Sequence, residues 1–369
     1  MKIFIIGKIR GENRSQNLLK VFKKHESLKI YEETKVSIFK SQRLNNLLYF
    51  FSFLFFVDLF RAARCNKVIY LAMNQNKLFF LLLLKMIRKE VILDFYTSRL
   101  FFASKAGKID NSSANFHRLN HWYLYYVDKL RLFLPTKVIF LNPSHAEYLS
   151  NKFYVPGLVK KSIVIPLVVP DYGFSEIKSK HDYFNVCWWG KASHYHGLEY
   201  MMQELSAAYL IKPQLRFYFF DDSEARKQIL QILAKKSGLA SNCITISGDL
   251  TFRSGLADWL KVNCDLALGS FGFLHGANLG IANKTLESWS LGLPICTQAT
   301  LDISIDNITG AYLDEPIKGE LCSLIVEASE RNTLRGIPME RIADNAREVF
   351  ISIYSVSAFE KSIMDIINS

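Results

Sequence analysis

At 369 residues the chain exceeds one ordinary domain and suits two of typical size, and its half-apolar, 22% charged composition is that of a globular protein with large cores. Its six cysteines (Cys65, Cys187, Cys243, Cys264, Cys296, Cys322) are scattered, with no CxxC pair and no Cys/His spacing that builds a zinc site, which points to a reducing, cytosolic compartment and away from a structural metal. The formal charge of +12 is uneven: residues 1–165 hold 28 Lys/Arg against 10 Asp/Glu, while the remainder carries 6 more acids than bases.

In chain order, Met1-Lys2 leads straight into Ile3–Ile6 and Gly7, the pattern of a first buried strand and not of a signal peptide, so the fold is expected to start at Met1. The segment Gly7 to Ser15 carries Lys8, Arg10, Gly11 and Arg14, and reads either as a loop approaching the phosphates of a ligand or a second substrate, or as an ordinary βα connection. The run Leu47–Val57, broken only by Ser52 and stopped at Asp58, is shorter than the roughly 20 residues a spanning helix needs. Its aromatic content, continuing to Phe60, exceeds a single amphipathic face, and Arg61 and Arg64 follow it. The segment is either a buried helix or a partly membrane-facing one. The basic flanks favour contact with an anionic membrane surface, and no nucleic-acid-binding module is recognisable.

Short apolar, β-branched runs at Lys2–Ile6, Lys67–Leu71, Val91–Asp94, Lys137–Leu141 and Ser162–Ile165 alternate with segments of helical period, the sign of βαβ units in a parallel sheet. Asp94, at a strand end, serves either to orient or deprotonate a substrate hydroxyl or to cap the next helix. A stretch with Pro166, Pro170, Gly173 and no clear periodicity separates a second series at Asn185–Trp189, Leu215–Phe220, Cys243–Ser247, Asp265–Leu268 and Pro294–Thr297. The expected organisation is a first domain over 1–166, a linker over 167–182, a second domain over 183–345, and a C-terminal helix over 346–369 that packs back on the first domain.

Ligands of parallel sheets bind at the carboxyl ends of the strands. There the second series places Gly190, Lys191, His194, His196 and Gly197 between a strand and a helix start, where unpaired N–H groups and a nearby cation make an anion site. The alternative is that both glycines only shape a turn. Later come Gly269-Ser-Phe-Gly272 and Ala282-Asn-Lys-Thr-Leu-Glu-Ser-Trp-Ser-Leu-Gly-Leu-Pro294, with Asn283 as the expected N-cap and Gly292 as the C-cap of a helix carrying Glu287. That carboxylate either accepts both hydroxyls of a ribose or complements the helix dipole.

Gly-Lys-x4-His-Gly at 190–197, Gly-Ser-Phe-Gly at 269–272 and Ala-Asn-Lys-x2-Glu-x4-Gly-x-Pro at 282–294 resemble, in order and spacing, glycosyltransferase family 4, especially its bacterial cell-surface polysaccharide branch. The likeness covers most of 185–300 and is faint in the first domain, at Asp94–Ser98 and at Thr136–Asn142 followed by His145 and Glu147. The resemblance implies an α/β protein of GT-B fold, with two Rossmann-like, doubly wound parallel-sheet domains facing a cleft. It further implies a hexosyltransferase-like, configuration-retaining enzyme that takes a nucleotide-diphosphate sugar as co-substrate and needs no cofactor or bound metal. On that footing the catalytic candidates are Lys191, His196 and Asp94. The donor-binding candidates are Gly190, Gly197, Gly248, Gly269, Phe271, Gly272, Asn283, Lys284 and Glu287, and Gly7, Gly11 and Arg14 form a candidate phosphate or acceptor loop. Two departures stand out: Leu279 occupies the place of the family's first glutamate, and His196 that of a lysine before the helix glycine. The implied acceptor is lipid-linked or a surface glycan, with the protein cytoplasmic and peripheral at the inner face of a membrane. The missing glutamate motivates a rival, a catalytically silent partner subunit that binds nucleotide or glycan.

Overall fold

The computed structural model describes residues 1–7, 13–33, 52–71, 77–95, 98, 100, 114–174, 182–193, 196–252, 254–273, 280–300 and 308–368. The chain divides into two compact units, Met1–Pro166 with Glu360–Ser369, and Leu167–Phe359.

The first unit runs β1 (Lys2–Ile6), α1 (Asn13–Lys24), β2 (Lys29–Glu32), α2 (Phe53–Arg64), β3 (Lys67–Leu71), α3 (Leu78–Met86), β4 (Val91–Asp94), α4 (Ala114–Phe133), β5 (Lys137–Phe140), α5 (Pro143–Phe153) and β6 (Ser162–Val164). The sheet is parallel throughout, in the order β2-β1-β3-β4-β5-β6. Strands β3 and β4 are buried along their whole length, so both faces of the sheet are covered and the strands read as continuous apolar runs. Phe55 of α2, Phe80 and Leu84 of α3, Leu132 of α4 and Phe153 of α5 close one core with Phe4, Tyr70, Leu93 and Phe140 of the sheet. α5 starts where it does because Asn142 is extended and its side chain accepts the His145 N–H at 2.8 Å, while Pro143 fills the first turn.

The second unit contains β7 (Phe184–Trp189), α6 (Leu198–Ile211), β8 (Leu215–Phe220), α7 (Glu224–Lys236), β9 (Ile244–Ser247), α8 (Leu256–Asn263), β10 (Leu266–Leu268), α9 (Asn283–Leu291), β11 (Ile295–Gln298), β12 (Ala311–Leu313), α10 (Glu320–Arg331), the small hairpin β13–β14 (Thr333–Leu334, Ile337–Pro338) and α11 (Met339–Val349). Its main sheet, again parallel, has the order β12-β11-β10-β7-β8-β9. Numbered from β7 this is the 3-2-1-4-5-6 arrangement of dinucleotide-binding sheets, whose strand order reverses between β7 and β10. A buried carboxylate also organises this unit: Glu204 of α6 accepts the Gly319 N–H at 2.9 Å and the Cys322 N–H at 3.0 Å, satisfying amides at the start of α10.

Three features differ from the sequence reading. The edge strands β2 and β12 lie outside both expected series. The stretch 167–174 is no free linker, because Val168 and Val169 are buried, Tyr172 packs on Phe252 at 4.7 Å, and Asp171 is held by Arg347 at 2.6 Å. The residues 175–181 lie outside the described residues. The C-terminal stretch 346–369 is not one helix: α11 gives way to a π-helical segment, Phe350–Tyr354, and then to α12 (Val356–Asn368). The last ten residues group with the first unit, where Glu360 meets Lys24 at 2.9 Å and His25 at 3.1 Å and the Ile366 carbonyl accepts Lys67 Nζ. Among the described residues no helix is long and apolar enough to cross a membrane.

Candidate functional site

The strand reversal between β7 and β10 leaves a crevice at their carboxyl ends, and the loops that follow these strands are laced together. Gly197 caps α6 in the left-handed region (φ 59°), and a Cβ on it would overlap the Phe271 carbonyl oxygen. Phe271 N–H in turn donates to the His196 carbonyl at 3.0 Å. Only glycine allows that crossing. Gly269 is similarly pressed against the Thr297 side chain. His196 is fixed by its ring, with Nδ1 2.8 Å from Ser270 Oγ and its edge against Trp188 at 5.5 Å.

The β7 loop is held from the other side by Asp221, at the end of β8. Its Oδ2 accepts the Ala192 N–H at 2.7 Å, and the carboxylate also takes Ser223 N–H and the Arg226 guanidinium, which together hold its pKa below the usual range against the opposing effect of burial. Asp221 thereby fixes Gly190 (φ 127°), Lys191 and Ala192 as a shelf.

Opposite that shelf stands the start of α9. Its cap is Ala282, extended and without a side-chain cap bond, so Asn283 is the first helical residue and not the expected N-cap. Lys284 follows. It is buried, its Nζ lies 3.9 Å above the Trp188 ring, and among the described residues that nitrogen has no hydrogen-bond partner. A Cβ on Gly190 would lie 3.5 Å from this ammonium, an ordinary contact, which places the cation directly against the shelf. Burial pulls the Lys284 pKa well below that of an ordinary lysine, opposed by the charges of Glu287 and Asp221. Glu287, one helical turn on, has its carboxyl pushed up by burial, while the Trp189 N–H, donated to Oε2 at 2.7 Å, and Lys284 pull it down.

These groups line one cavity of about 510 Å³. Of the residues expected from sequence, Gly190, Lys191, His196, Asn283, Lys284 and Glu287 face it. Gly197, Gly269, Phe271 and Gly272 shape the loops behind it, and Gly248 packs against the Asp221 carbonyl, where a Cβ would come within 2.8 Å. Sequence reasoning did not single out Trp189, Phe220, Asp221, Leu250, Thr251 and Phe252, which form the rest of the wall with Asp222, Leu256 and Ala282. A signal for Asp221 was present: Phe220-Asp221-Asp222 ends a strand, and Arg226 lies one turn into the next helix.

The first-domain candidates require correction. Asp94 is not poised as a base: both its oxygens are taken by Arg14 Nε, at 2.9 and 3.1 Å, in a pair that is almost wholly buried. Arg14 is likewise not offered to a ligand phosphate, since its Nη1 donates to the Ile165 and Pro166 carbonyls at 3.0 Å. Gly7 (φ 114°) donates its N–H to Glu33 and crosses β3 so closely that a Cβ would lie 2.6 Å from the Leu71 carbonyl oxygen, which is a packing role. Gly11 and Leu279 lie outside the described residues.

No known family profile matches the sequence, and no curated protein matches it. Solved structures do. The chain superposes over 100% of its length on 99% of Anabaena HepE, crystallised with UDP-glucose, with a TM-score of 0.64 and 14% identity. It superposes over 100% on 98% of the sucrose-phosphate synthase of Thermosynechococcus elongatus, with a TM-score of 0.66 and 11% identity. It also superposes over 100% on 99% of WaaG, a glycosyltransferase involved in lipopolysaccharide biosynthesis, with a TM-score of 0.61 and 13% identity. The chain has the GT-B fold. At these identities the likeness is one of architecture.

Proposed function

We propose that the chain is a glycosyltransferase that moves a sugar from a nucleoside-diphosphate sugar to a lipid-linked or glycan acceptor, with the donor nucleotide seated in the cavity between the ends of β7 and β8 and the start of α9. The observation that carries this reading is the pair on α9: a buried ammonium with no hydrogen-bond partner among the described residues and, one turn on, a half-buried carboxylate, both facing the same cavity. A diphosphate supplies the anion that Lys284 lacks, and ribose hydroxyls supply donors to the Glu287 carboxylate. Trp189, Phe220 and Phe252 offer apolar surface to the base. The α6 N-terminus, which opens at Gly197, adds N–H groups and a partial positive charge.

The chemistry follows from that charge arrangement. Departure of the diphosphate leaves negative charge beside Lys191, Lys284, His196 and the α6 N-terminus, whose fixed positive ends stabilise it without a metal. With Asp94 bound to Arg14, the reading assigns the acceptor proton to the leaving phosphate in a front-face, configuration-retaining displacement. Support for the donor class also comes from HepE, crystallised with UDP-glucose, and support for a surface-glycan acceptor from WaaG. Placement at the cytoplasmic side of an anionic membrane, peripherally, completes the reading, with the basic first unit as its support.

Thermal-shift measurements with UDP, GDP, ADP and CMP test the donor site, because a ligand that binds only the folded state raises its melting temperature. One nucleoside diphosphate is expected to stabilise the protein, and Glu287→Ala is expected to weaken it by about 1.5–3 kcal/mol in titration calorimetry. Slow release of nucleoside diphosphate from the donor sugar, strongly reduced in Lys191→Ala at unchanged melting temperature, is the expected catalytic signature. A folded protein that none of the four nucleotides stabilises overturns the site. Binding without turnover, even with cell-derived acceptors, assigns the chain to donor binding alone.

A further inference from the structure

Helices α2, α3 and α4 cover one face of the first unit's sheet, and all three point large apolar side chains outward. α2 exposes Phe53 (79% accessible), Phe56 and Phe60. α3 exposes Phe79, Leu82 and Met86. On α4, Trp122 and Tyr126 are about half exposed and stack on each other at 5.7 Å, and Phe133 is exposed at the end of the helix. The rows are continuous: Phe55 stacks on Phe79 between α2 and α3 at 6.2 Å, and Lys85 of α3 lies over the Phe133 ring of α4 at 4.0 Å. Apolar surface on this scale, repeated over three neighbouring helices, marks an interaction face.

The charges on the same helices are sorted. The acid of α2, Asp58, is fully buried and paired with Arg61, and α3 has no acid. The acid of α4, Asp128, is fully buried and holds Ser98 Oγ at 2.7 Å, Leu100 N–H and Arg131. Outward-facing charge is therefore cationic: Arg61, Arg64 stacked on Phe60 at 3.9 Å, and Lys85. Cations lying over the faces of exposed aromatic rings match the layer where lipid headgroups meet acyl chains, since Trp and Tyr rings and long basic side chains both span that boundary.

We propose that the outer face of α2, α3 and α4 docks on an anionic lipid bilayer, with its aromatic and aliphatic side chains in the interfacial layer and Arg61, Arg64 and Lys85 at the headgroups. The inference rests on the peripheral-membrane part of the reading above and extends it from the aromatic run to three helices. It makes no use of the donor cavity.

The test is co-sedimentation with phosphatidylcholine vesicles, with and without phosphatidylglycerol, at low and high salt. Wild-type protein is expected to pellet with the anionic vesicles and to be released by salt. Three double variants separate the helices: Phe56→Ser with Phe60→Ser, Leu82→Ser with Met86→Ser, and Trp122→Ser with Tyr126→Ser. Each is expected to weaken lipid binding by about tenfold or more, as removal of two inserted side chains implies, at unchanged melting temperature and nucleotide affinity. Wild-type protein that stays in solution with anionic vesicles at low salt overturns both this face and the membrane reading. Loss of binding in the α2 variant alone overturns the three-helix face and leaves the aromatic run as the anchor. Concentration-dependent self-association in sedimentation velocity, abolished by the α4 variant, would overturn the proposal by giving the face to a second copy of the chain.

Discussion

The carboxyl ends of the two parallel sheets carry similar charged residues in opposite conditions. In the first unit they face one another: Arg14 grips Asp94, Lys77 pairs with Glu33, and Glu33 also takes the Gly7 N–H. In the second unit Lys284 is buried as deeply and Glu287 is half-buried, yet both face an open cavity, and among the described residues the ammonium has no hydrogen-bond partner. A buried ion pair can hold a structure together, whereas a buried, unpaired ammonium costs free energy until something supplies the missing charge. One sheet end is therefore built for stability and the other for a ligand, although the two units share an architecture.

The largest expected effect comes from removing the crossing that frames the open end. Gly197→Val puts a branched side chain where even a Cβ overlaps the Phe271 carbonyl, at a left-handed backbone position. A loss of more than about 4 kcal/mol of stability is expected in urea unfolding, together with loss of the nucleotide response. If the variant melts like wild type, the lacing of the two loops is not what shapes the cavity.

Next comes the closed end. Asp94→Ala leaves the Arg14 guanidinium buried without its carboxylate and is expected to cost about 3–5 kcal/mol. The double change Arg14→Met with Asp94→Leu should restore most of it, because the penalty lies in the uncompensated charge. Intact stability combined with lost turnover in Asp94→Ala would return Asp94 to the chemistry and erase the contrast between the two sheet ends.

Acid sharpens the comparison by acting on the first unit. His145, enclosed by Phe95 and Phe140 with Nδ1 unpartnered among the described residues, is pushed by burial from 6.5 down to about 4. The folded protein therefore refuses a proton that the unfolded chain accepts between those values. Stability contributed by the neutral ring is fully present above pH 6.5 and is lost as pH falls toward 4, by up to about 3 kcal/mol. Urea unfolding at pH 7 and pH 4.5 should show a smaller acid loss in His145→Phe than in wild type.

The second unit was the more legible in sequence because its site is local. Gly190, Gly197 and the segment 282–294 announce strand ends and helix starts within a few residues of each other, and the cavity is assembled from them. What stayed hidden is long-range. Arg14 and Asp94 lie 80 residues apart, and each alone reads as a loop cation or a strand-end acid, so nothing nearby reveals that they neutralise each other. Asp221 holds the Lys191–Ala192 shelf from 29 residues away. Strand β2, with mostly exposed residues, lacks the apolar run that marked the inner strands, and β12 is only three residues long. Asn283 was misread because it is a good capping residue by type, and the helix instead begins one residue earlier with an extended Ala282.

The smallest expected effect discriminates best between the two sheet ends, because it has the opposite sign. Lys284→Met keeps the length and packing of the side chain over Trp188 while removing an ammonium that burial disfavours and that no hydrogen-bond acceptor meets among the described residues. The variant should be more stable than wild type by about 1 kcal/mol, in the direction commonly found when a buried unpaired charge is replaced by an apolar side chain of similar volume. Its affinity for the nucleoside diphosphate should fall by roughly tenfold or more, equivalent to at least about 1.4 kcal/mol. A bound diphosphate also favours the protonated amine. Wild-type binding should therefore carry an uptake of protons assignable to Lys284, and that contribution should weaken affinity as pH rises above the lowered pKa. Calorimetry in buffers of different ionisation enthalpy reads this uptake, and Lys284→Met should lack it. A Lys284→Met protein that is destabilised as Asp94→Ala is expected to be would mean that the ammonium is satisfied in the folded protein, and that the second sheet end is as closed as the first.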